Sequence, residues 1–474
     1  MLKAVPYGLV TRTSAGQSEP RSHEENEPPF IPPWQWGEVR RGRAATLHRS
    51  LTLPARIGRP FAGAVHSDRL WRMIDVDEAQ RIVLAQAEPL PAVEMLLAEA
   101  IWRTLAAPVA CDVDYPPFDR SSMDGYAVRA ADTMTTPVTL RVVGQIAAGK
   151  QSARTLQPGE AMQINTGAPI PCGADAVVRV ESTEVSPSGE AVVVRESVQP
   201  GRFITRRATY ARAGQTVLDA GSLLTPVNIG VAATAGAARV SVHGRPTVAI
   251  LVTGDELIDI REKPTGAQIR NSNQYILESL VRAAHCEPVV LGVAGDDRNL
   301  LRQRIKEGLR SDVLCITGGI SMGAFDFVPE VLKECGAEFH VHKMAIKPGR
   351  PTIFATTPAD KLIFALPGNP VSALVGFHLL MVPALAALQG RQVVQPLVRA
   401  VLRGKLPATG DRRSFCPARA VVAANGECEA RVLSWHGSGD AIGMGNADAL
   451  IVQPPRSPAV RDGDLVMLLS LDRV

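Results

Sequence analysis

The sequence predicts a multidomain chain of class α/β plus β, with a mostly parallel α/β domain, an inserted β module ahead of it and a C-terminal β barrel-like domain. Three observations carry this expectation. Strand-like and helix-like apolar patterns alternate through residues 245–390, which implies right-handed βαβ crossovers and a mostly parallel sheet. Short strands broken by Pro-Gly and Gly-Ala turns fill about 139–217. Val- and Leu-rich strands between Gly, Asp and Pro turns fill about 395–474, as in a small barrel or sandwich.

Taken in order, residues 1–72 differ from all that follows. They hold Pro28-Pro29, Pro32-Pro33, an Arg-rich stretch from Arg40 to Arg43, and three of the five tryptophans, Trp34, Trp36 and Trp71. Two readings stand: a disordered extension with a partner-binding element, or a mis-assigned start with Met73 opening the protein. From Asp75, residues Ala79, Ile82, Val83, Leu90, Val93, Leu96, Leu97 and Ala100 are spaced for two amphipathic helical segments interrupted near Pro89 to Pro91. Ala-rich Thr225 to Ala238 reads as a helix returning to that first segment, so residues 73–138 and 214–244 form one domain and 139–213 an insertion.

Within 245–390, strands are expected at Thr247–Thr253, Pro288–Val293 and Asp312–Ile316, with helices at Asn273–Ala284 and Asp297–Leu309 between them. A helix near Phe327–Cys335 and extended segments near Phe339–Ile346, Thr352–Ala355 and Leu362–Leu366 follow. Val371–Leu388 is the longest apolar run. It contains Ser372, His378 and Pro383 and follows a Pro-Gly-Asn-Pro turn, which favours a buried helix over a membrane span. Residues 391–474 form the last β domain.

Composition narrows the classes. The 474 residues are 46% hydrophobic and 21% charged, with 51 Lys+Arg against 47 Asp+Glu. Residues 1–72 carry 11 basic and 6 acidic side chains, leaving a nearly neutral body, which gives no electrostatic case for nucleic acid. No secretory leader is expected. Seven scattered cysteines without a Cys-x-x-Cys pair point to reduced thiols and a cytoplasmic protein. His340 and His342 read as ordinary strand side chains, not zinc ligands. Gly144 to Gln151 imitates a P-loop, but Gln151 stands where Mg²⁺ binding needs Ser or Thr. No Gly-x-Gly-x-x-Gly follows a strand, so the dehydrogenase reading loses its usual support.

Ligands of open α/β sheets bind outside the carboxyl ends of the strands. There the chain places Thr253-Gly254-Asp255-Glu256, Gly295-Asp296-Asp297, Thr317-Gly318-Gly319-Ile320-Ser321-Met322-Gly323 with Asp326, Lys343, Lys347-Pro348-Gly349-Arg350-Pro351, and Pro367-Gly368-Asn369-Pro370. The Gly-rich loop leads into a helix, an arrangement that favours a phosphate or other anion. Acidic groups at neighbouring strand ends suit a hard cation such as Mg²⁺, and Lys343 and Lys347 add positive charge. Plainer roles remain open: Asp297 and Asp326 as helix caps, Glu256 as a solvated loop residue, the glycines as tight turns.

These motifs, with Met123-Asp124-Gly125-Tyr126-Ala127, Thr166-Gly167-Ala168-Pro169 and Gly173-Ala174-Asp175-Ala176-Val177, resemble in kind and order those of the molybdopterin molybdenumtransferases, the family of bacterial MoeA and the gephyrin E-domain. The resemblance runs from about Met73 to the C-terminus. It implies a homodimer of elongated subunits, in which the pterin-binding α/β domain works with the C-terminal β domain and the partner's inserted module. It implies Mg²⁺-dependent cleavage of adenylylated molybdopterin, AMP release and insertion of molybdate, with molybdopterin adenylyltransferase and molybdoenzymes or cofactor chaperones as partners, and with no nucleic acid or membrane role. Carried over by motif, Asp124, Glu256, Asp296 and Asp326 are metal-side or positioning carboxylates, with Glu256, Asp296 and Asp326 as the metal ligands. Lys343 and Lys347 are anion binders. Thr253, Gly254, Thr317, Gly318, Gly319, Ser321, Pro367, Gly368, Asn369, Arg412 or Arg413, and Ser438 contact substrate. Two departures stand out. Ala208-Thr209-Tyr210 falls where the family has Gly-Glu-Asp, and Arg120 replaces an Asn. These leave open a tungstate-specialised paralogue beside the gephyrin-like scaffold; a stand-alone adenylyltransferase fits the extra modules poorly.

Overall fold

The computed structural model describes residues 72–295, 297–320, 327–391 and 397–472. Residues 1–71, and Asp296, Ser321 and Asp326 of the candidate site, lie outside the described residues.

The α/β domain is built on a six-stranded sheet in the order Glu287–Ala294, Thr247–Thr253, Val313–Thr317, Leu362–Leu366, Ile353–Thr356, Glu338–Val341. The first four strands are parallel, and Ile353–Thr356 runs antiparallel to both its neighbours, so five of the six strands share one direction and the sheet is mostly parallel as expected. The β-branched, apolar make-up of Thr247–Thr253 follows from its position: six of its seven residues are buried between layers. One face packs Leu301 and Ile305 of helix Arg298–Gly308 and Val331 and Leu332 of helix Val328–Glu334. The other packs helix Asn273–Ala283 through Leu277 and Val281, together with the apolar run. Asp297 caps its helix, accepting hydrogen bonds from the N–H groups of Asn299 and Leu300.

The apolar run spans Pro370–Leu388, and 94% of its most apolar stretch is buried inside the molecule. A π-turn at Phe377–Met381 interrupts it and carries His378 into the core, fully buried.

The first helix, Val76–Leu84, is capped by Asp75 and lays Val76, Ala79 and Val83 against this same core. The second expected helical segment is absent. Ala92–Leu96 is a strand, paired antiparallel with Arg239–His243, and only a 3₁₀ turn at Leu97–Glu99 follows. A short segment directly after Pro91 gains little from a helix, and the cross-strand pairing decides its conformation. Helix Pro226–Thr234, capped by Thr225, returns the chain to this pair. The inserted module is a six-stranded sheet whose second strand, Gly125–Val128, lies upstream of residue 139. The C-terminal domain is a barrel. Val398–Arg403, Arg413–Val422, Cys428–Val432, Ala449–Gln453 and Leu465–Ser470 close on themselves through the pairing of Arg413–Val422 with both Cys428–Val432 and Ala449–Gln453.

Candidate active site

Strand Thr247–Thr253 has Glu287–Ala294 on one side and Val313–Thr317 on the other, so the crossovers leave it in opposite directions and open a crevice at its carboxyl end. A cleft of about 780 Å³ lies there. Its wall contains Thr253, Gly254, Glu256, Thr317, Gly318 and Gly319 from the first and third strand ends. Pro367, Gly368 and Asn369 close it from the end of strand Leu362–Leu366, and Asp440 to Ile442 of the barrel domain also line it.

The glycines are required by the geometry. Gly318 has φ +93°, and a Cβ there would lie 2.4 Å from the carbonyl oxygen of Thr253. Its N–H bonds the Leu366 carbonyl at 3.1 Å, which ties the Thr-Gly-Gly loop to the neighbouring strand end. The N–H groups of Gly319, Ile320, Gly368 and Asn369 have no hydrogen-bond acceptor among the described residues. Asn369 sits at the N-terminus of the long helix but does not cap it; its amide donates to Ser438 Oγ at 3.0 Å, and the Ser438 carbonyl accepts from Val371 N–H. N–H groups without a protein acceptor beside a helix N-terminus are donors of the kind that suit an anion.

The other expected residues are distributed differently. Lys347 lies on the short strand Ile346–Lys347, paired with Arg413–Ser414 of the barrel, and neither it nor Lys343 belongs to the cleft wall. Arg413 forms a two-point ion pair with Asp77, at 3.0 and 3.1 Å. That Arg413 guanidinium, aided by Arg81, holds the Asp77 carboxyl below the usual carboxylate range. Asp124 stands in the inserted module, where its carboxylate accepts the Thr166 N–H at 2.8 Å, away from the cleft wall of its own chain. Asp440 lines the cleft, but hydrogen bonds from the Gly443 and His436 N–H groups and from the His436 ring occupy its carboxylate and lower its pKa. No group of three or more His, Cys, Asp or Glu side chains suited to a metal occurs among the described residues. Glu256 on the cleft wall fits an ion that takes one or two protein carboxylates and keeps water.

Sequence reasoning missed Asn273. It lines the cleft and gives both amide protons away, to Thr317 Oγ1 at 2.9 Å and to the Gly368 carbonyl at 2.7 Å. The only local signal is an Asn where the capped helix begins. The two departures from the family motifs are neighbours: the Arg120 guanidinium lies 5.8 Å from the Tyr115 ring centre and 5.7 Å from that of Tyr210. Cation–π attraction links them. The nearby Arg206 and Arg207 pair with Asp119 and Asp114.

Three family profiles match the chain in order. The MoeA N-terminal region (domain I and II) covers residues 74–236, a probable molybdopterin binding domain 249–387, and the MoeA C-terminal region (domain IV) 399–471. A molybdopterin molybdenumtransferase of Nostoc is 35% identical over 379 residues, 78% of this chain and 86% of that protein. Another, of Staphylococcus aureus, is 31% identical over 405 residues, 84% of this chain and 95% of that protein. The crystal structure of a molybdopterin biosynthesis MoeA protein from Pyrococcus horikoshii matches with a TM-score of 0.72 at 29% identity, over 84% of this chain and all of that one. With the glycine-loop cleft at the sheet's switch point, a closed barrel beside it and relatives matched over nearly their whole length, the chain belongs to the molybdopterin molybdenumtransferase (MoeA) family.

Proposed function

We propose that the cleft binds adenylylated molybdopterin and that the protein transfers molybdate to its dithiolene, releasing AMP. The observation that carries this reading is the set of four N–H groups, from Gly319, Ile320, Gly368 and Asn369, that have no acceptor among the described residues and belong to residues lining one crevice in a chain of this family. Such donors stabilise charge that develops on phosphoryl oxygens as the phosphoanhydride bond breaks. Lys343 and Lys347 add cationic charge to the same edge of the domain. Glu256, with Asp296 and Asp326, would hold Mg²⁺, which when bound supplies neutralisation of the phosphate charge.

In this reading the working unit is a homodimer, and Asp124 serves the partner's cleft from the inserted module. The substrate comes from a molybdopterin adenylyltransferase, and the product passes to molybdoenzymes or cofactor chaperones in the cytoplasm. The test is AMP release from adenylylated molybdopterin by the purified protein with Mg²⁺, with molybdate, with tungstate and with neither. Molybdate-dependent release is expected. Release with tungstate alone would assign the protein to the other oxyanion, and no release from folded protein would remove the reading.

A further inference from the structure

Resting on that reading, we propose that Asn273 is a positioning residue, the clamp that sets the separation of the two anion-binding loops. It is 6% exposed, at the first position of helix Asn273–Ala283. Its preceding residue, Ser272, makes no side-chain capping bond; Asn271 serves the helix start instead, its Oδ1 accepting the Gln274 N–H at 3.2 Å, which leaves the Asn273 side chain to the loops. One Asn273 amide proton goes to Thr317 Oγ1, at the end of the third strand. The other goes to the Gly368 carbonyl, 95 residues away in sequence, within the Pro-Gly-Asn-Pro loop. Thr317 completes the link by donating its hydroxyl proton to the Pro367 carbonyl at 3.0 Å. Both loops are thereby bonded to one rigid amide and to each other.

The acceptors fix the orientation of that amide. The Gly368 carbonyl accepts only, and the Thr317 hydroxyl has already given its proton, so the Asn273 nitrogen must face both and Oδ1 must point away. Oδ1 is buried and has no hydrogen-bond partner among the described residues. An apolar side chain would avoid that unpaired oxygen, and a carboxylate could not donate to either loop. Asn is therefore retained for its two protons. Those protons hold together the two loops that carry Gly319, Ile320, Gly368 and Asn369, all of which line one cleft.

The conservative variant Asn273→Asp tests this. A buried carboxylate facing two oxygens titrates above the usual carboxylate range. Ionised, it has no proton to give; protonated, it has one. AMP release by N273D is expected to fall roughly 100-fold at about pH 8 with little change in KM, and to recover several-fold towards about pH 5.5, where wild type does not. Hydrogen exchange at Gly318 and Val371, whose N–H groups are hydrogen-bonded to the Leu366 and Ser438 carbonyls, is expected to accelerate in N273D and in N273A, while exchange in the barrel strands stays as in wild type. Exchange is read whether or not the variants turn over substrate, and thermal melting checks that both are folded. An N273D profile parallel to wild type at all pH values would overturn the clamp, as would loop exchange unchanged in both variants. If wild type itself releases no AMP, the proposed reaction fails, and faster loop exchange in the variants still supports the clamp.

Discussion

Replacing Gly318 by Ala measures how much of the site is enforced by backbone geometry. At φ +93° an L side chain is strained, by about 1–2 kcal/mol. The new Cβ would also stand 2.4 Å from Thr253 O and 2.6 Å from Thr253 Oγ1. The carbonyl belongs to the end of a buried central strand and cannot rotate aside, so loop or strand must move, at about 1–3 kcal/mol more. Gly318→Ala should therefore destabilise the α/β domain by about 2–5 kcal/mol, lowering its melting temperature by roughly 5–15 °C. Two neighbours calibrate the result. Gly319, at φ +63°, would place its Cβ 2.7 Å from Val328 Cγ2 and 2.9 Å from Thr253 Oγ1, both side-chain atoms that can yield, so Gly319→Ala should cost less. Gly368 has no left-handed φ, and its nearest contact would be Gly318 Cα at 3.5 Å, so Gly368→Ala should be close to neutral for stability. Differential scanning calorimetry of the three variants in one buffer, with AMP release at 25 °C, gives the ranking. A Gly318→Ala protein that melts within about 1 °C of wild type would refute the loop conformation on which the site is built.

Three further outcomes are expected. Burial lowers the His378 pKa to about 4. The unfolded chain then binds a proton that the fold does not, so stability should decline by about 1.4 kcal/mol per pH unit as pH falls from about 6.5 to 4. Urea midpoints across that range should fall less steeply for His378→Met, and equal slopes would remove His378 from the acid sensitivity. Ala208 has φ +61°, a conformation that favours Gly; Ala208→Gly relieves about 1–2 kcal/mol of strain against about 0.5–1 kcal/mol of chain entropy, so the module should melt slightly higher, not lower. Asp124→Asn and Lys347→Ala should each be inactive alone, yet mixed and reassociated they should regain about a quarter of wild-type AMP release if each cleft draws Asp124 from the partner. No regain would place both residues within one chain's site or outside the chemistry.

What the sequence disclosed depended on the range of the forces involved. The βαβ alternation, the Asp297 cap and the glycine turns are local, set by a few neighbouring residues, and each shows in the structure. Ala92–Leu96 misled because a strand partner nearly 150 residues away outweighs the local helical spacing. Asn273 was invisible for the same reason: its meaning lies in the Gly368 carbonyl, and nothing beside it in the chain points there. The motif that suggested Arg413 as a ligand contact held no sign of Asp77, which reaches it from the first helix.

That last contact bears on how the lysines are placed. Residues 343–347 form a strap. The Ile74 N–H bonds the Lys343 carbonyl at 3.1 Å, the Ala345 N–H bonds the Ile74 carbonyl at 2.7 Å, and the Arg413 N–H bonds the Ala345 carbonyl at 2.9 Å. The lead into the first helix thus grips the strap on one side and the barrel grips it on the other. The Asp77–Arg413 ion pair spans the same two flanks, but the Asp77 side chain is 68% exposed, and such a pair contributes at most about 1 kcal/mol. Backbone bonds, not that ion pair, therefore set where Lys343 and Lys347 stand. The pair sets something else. While Asp77 holds both terminal nitrogens of Arg413, the guanidinium cannot make the same two-point contact with a phosphate or molybdate. An incoming dianion would have to displace Asp77, and because that carboxylate is surface-exposed and readily solvated, the exchange opposes binding only weakly.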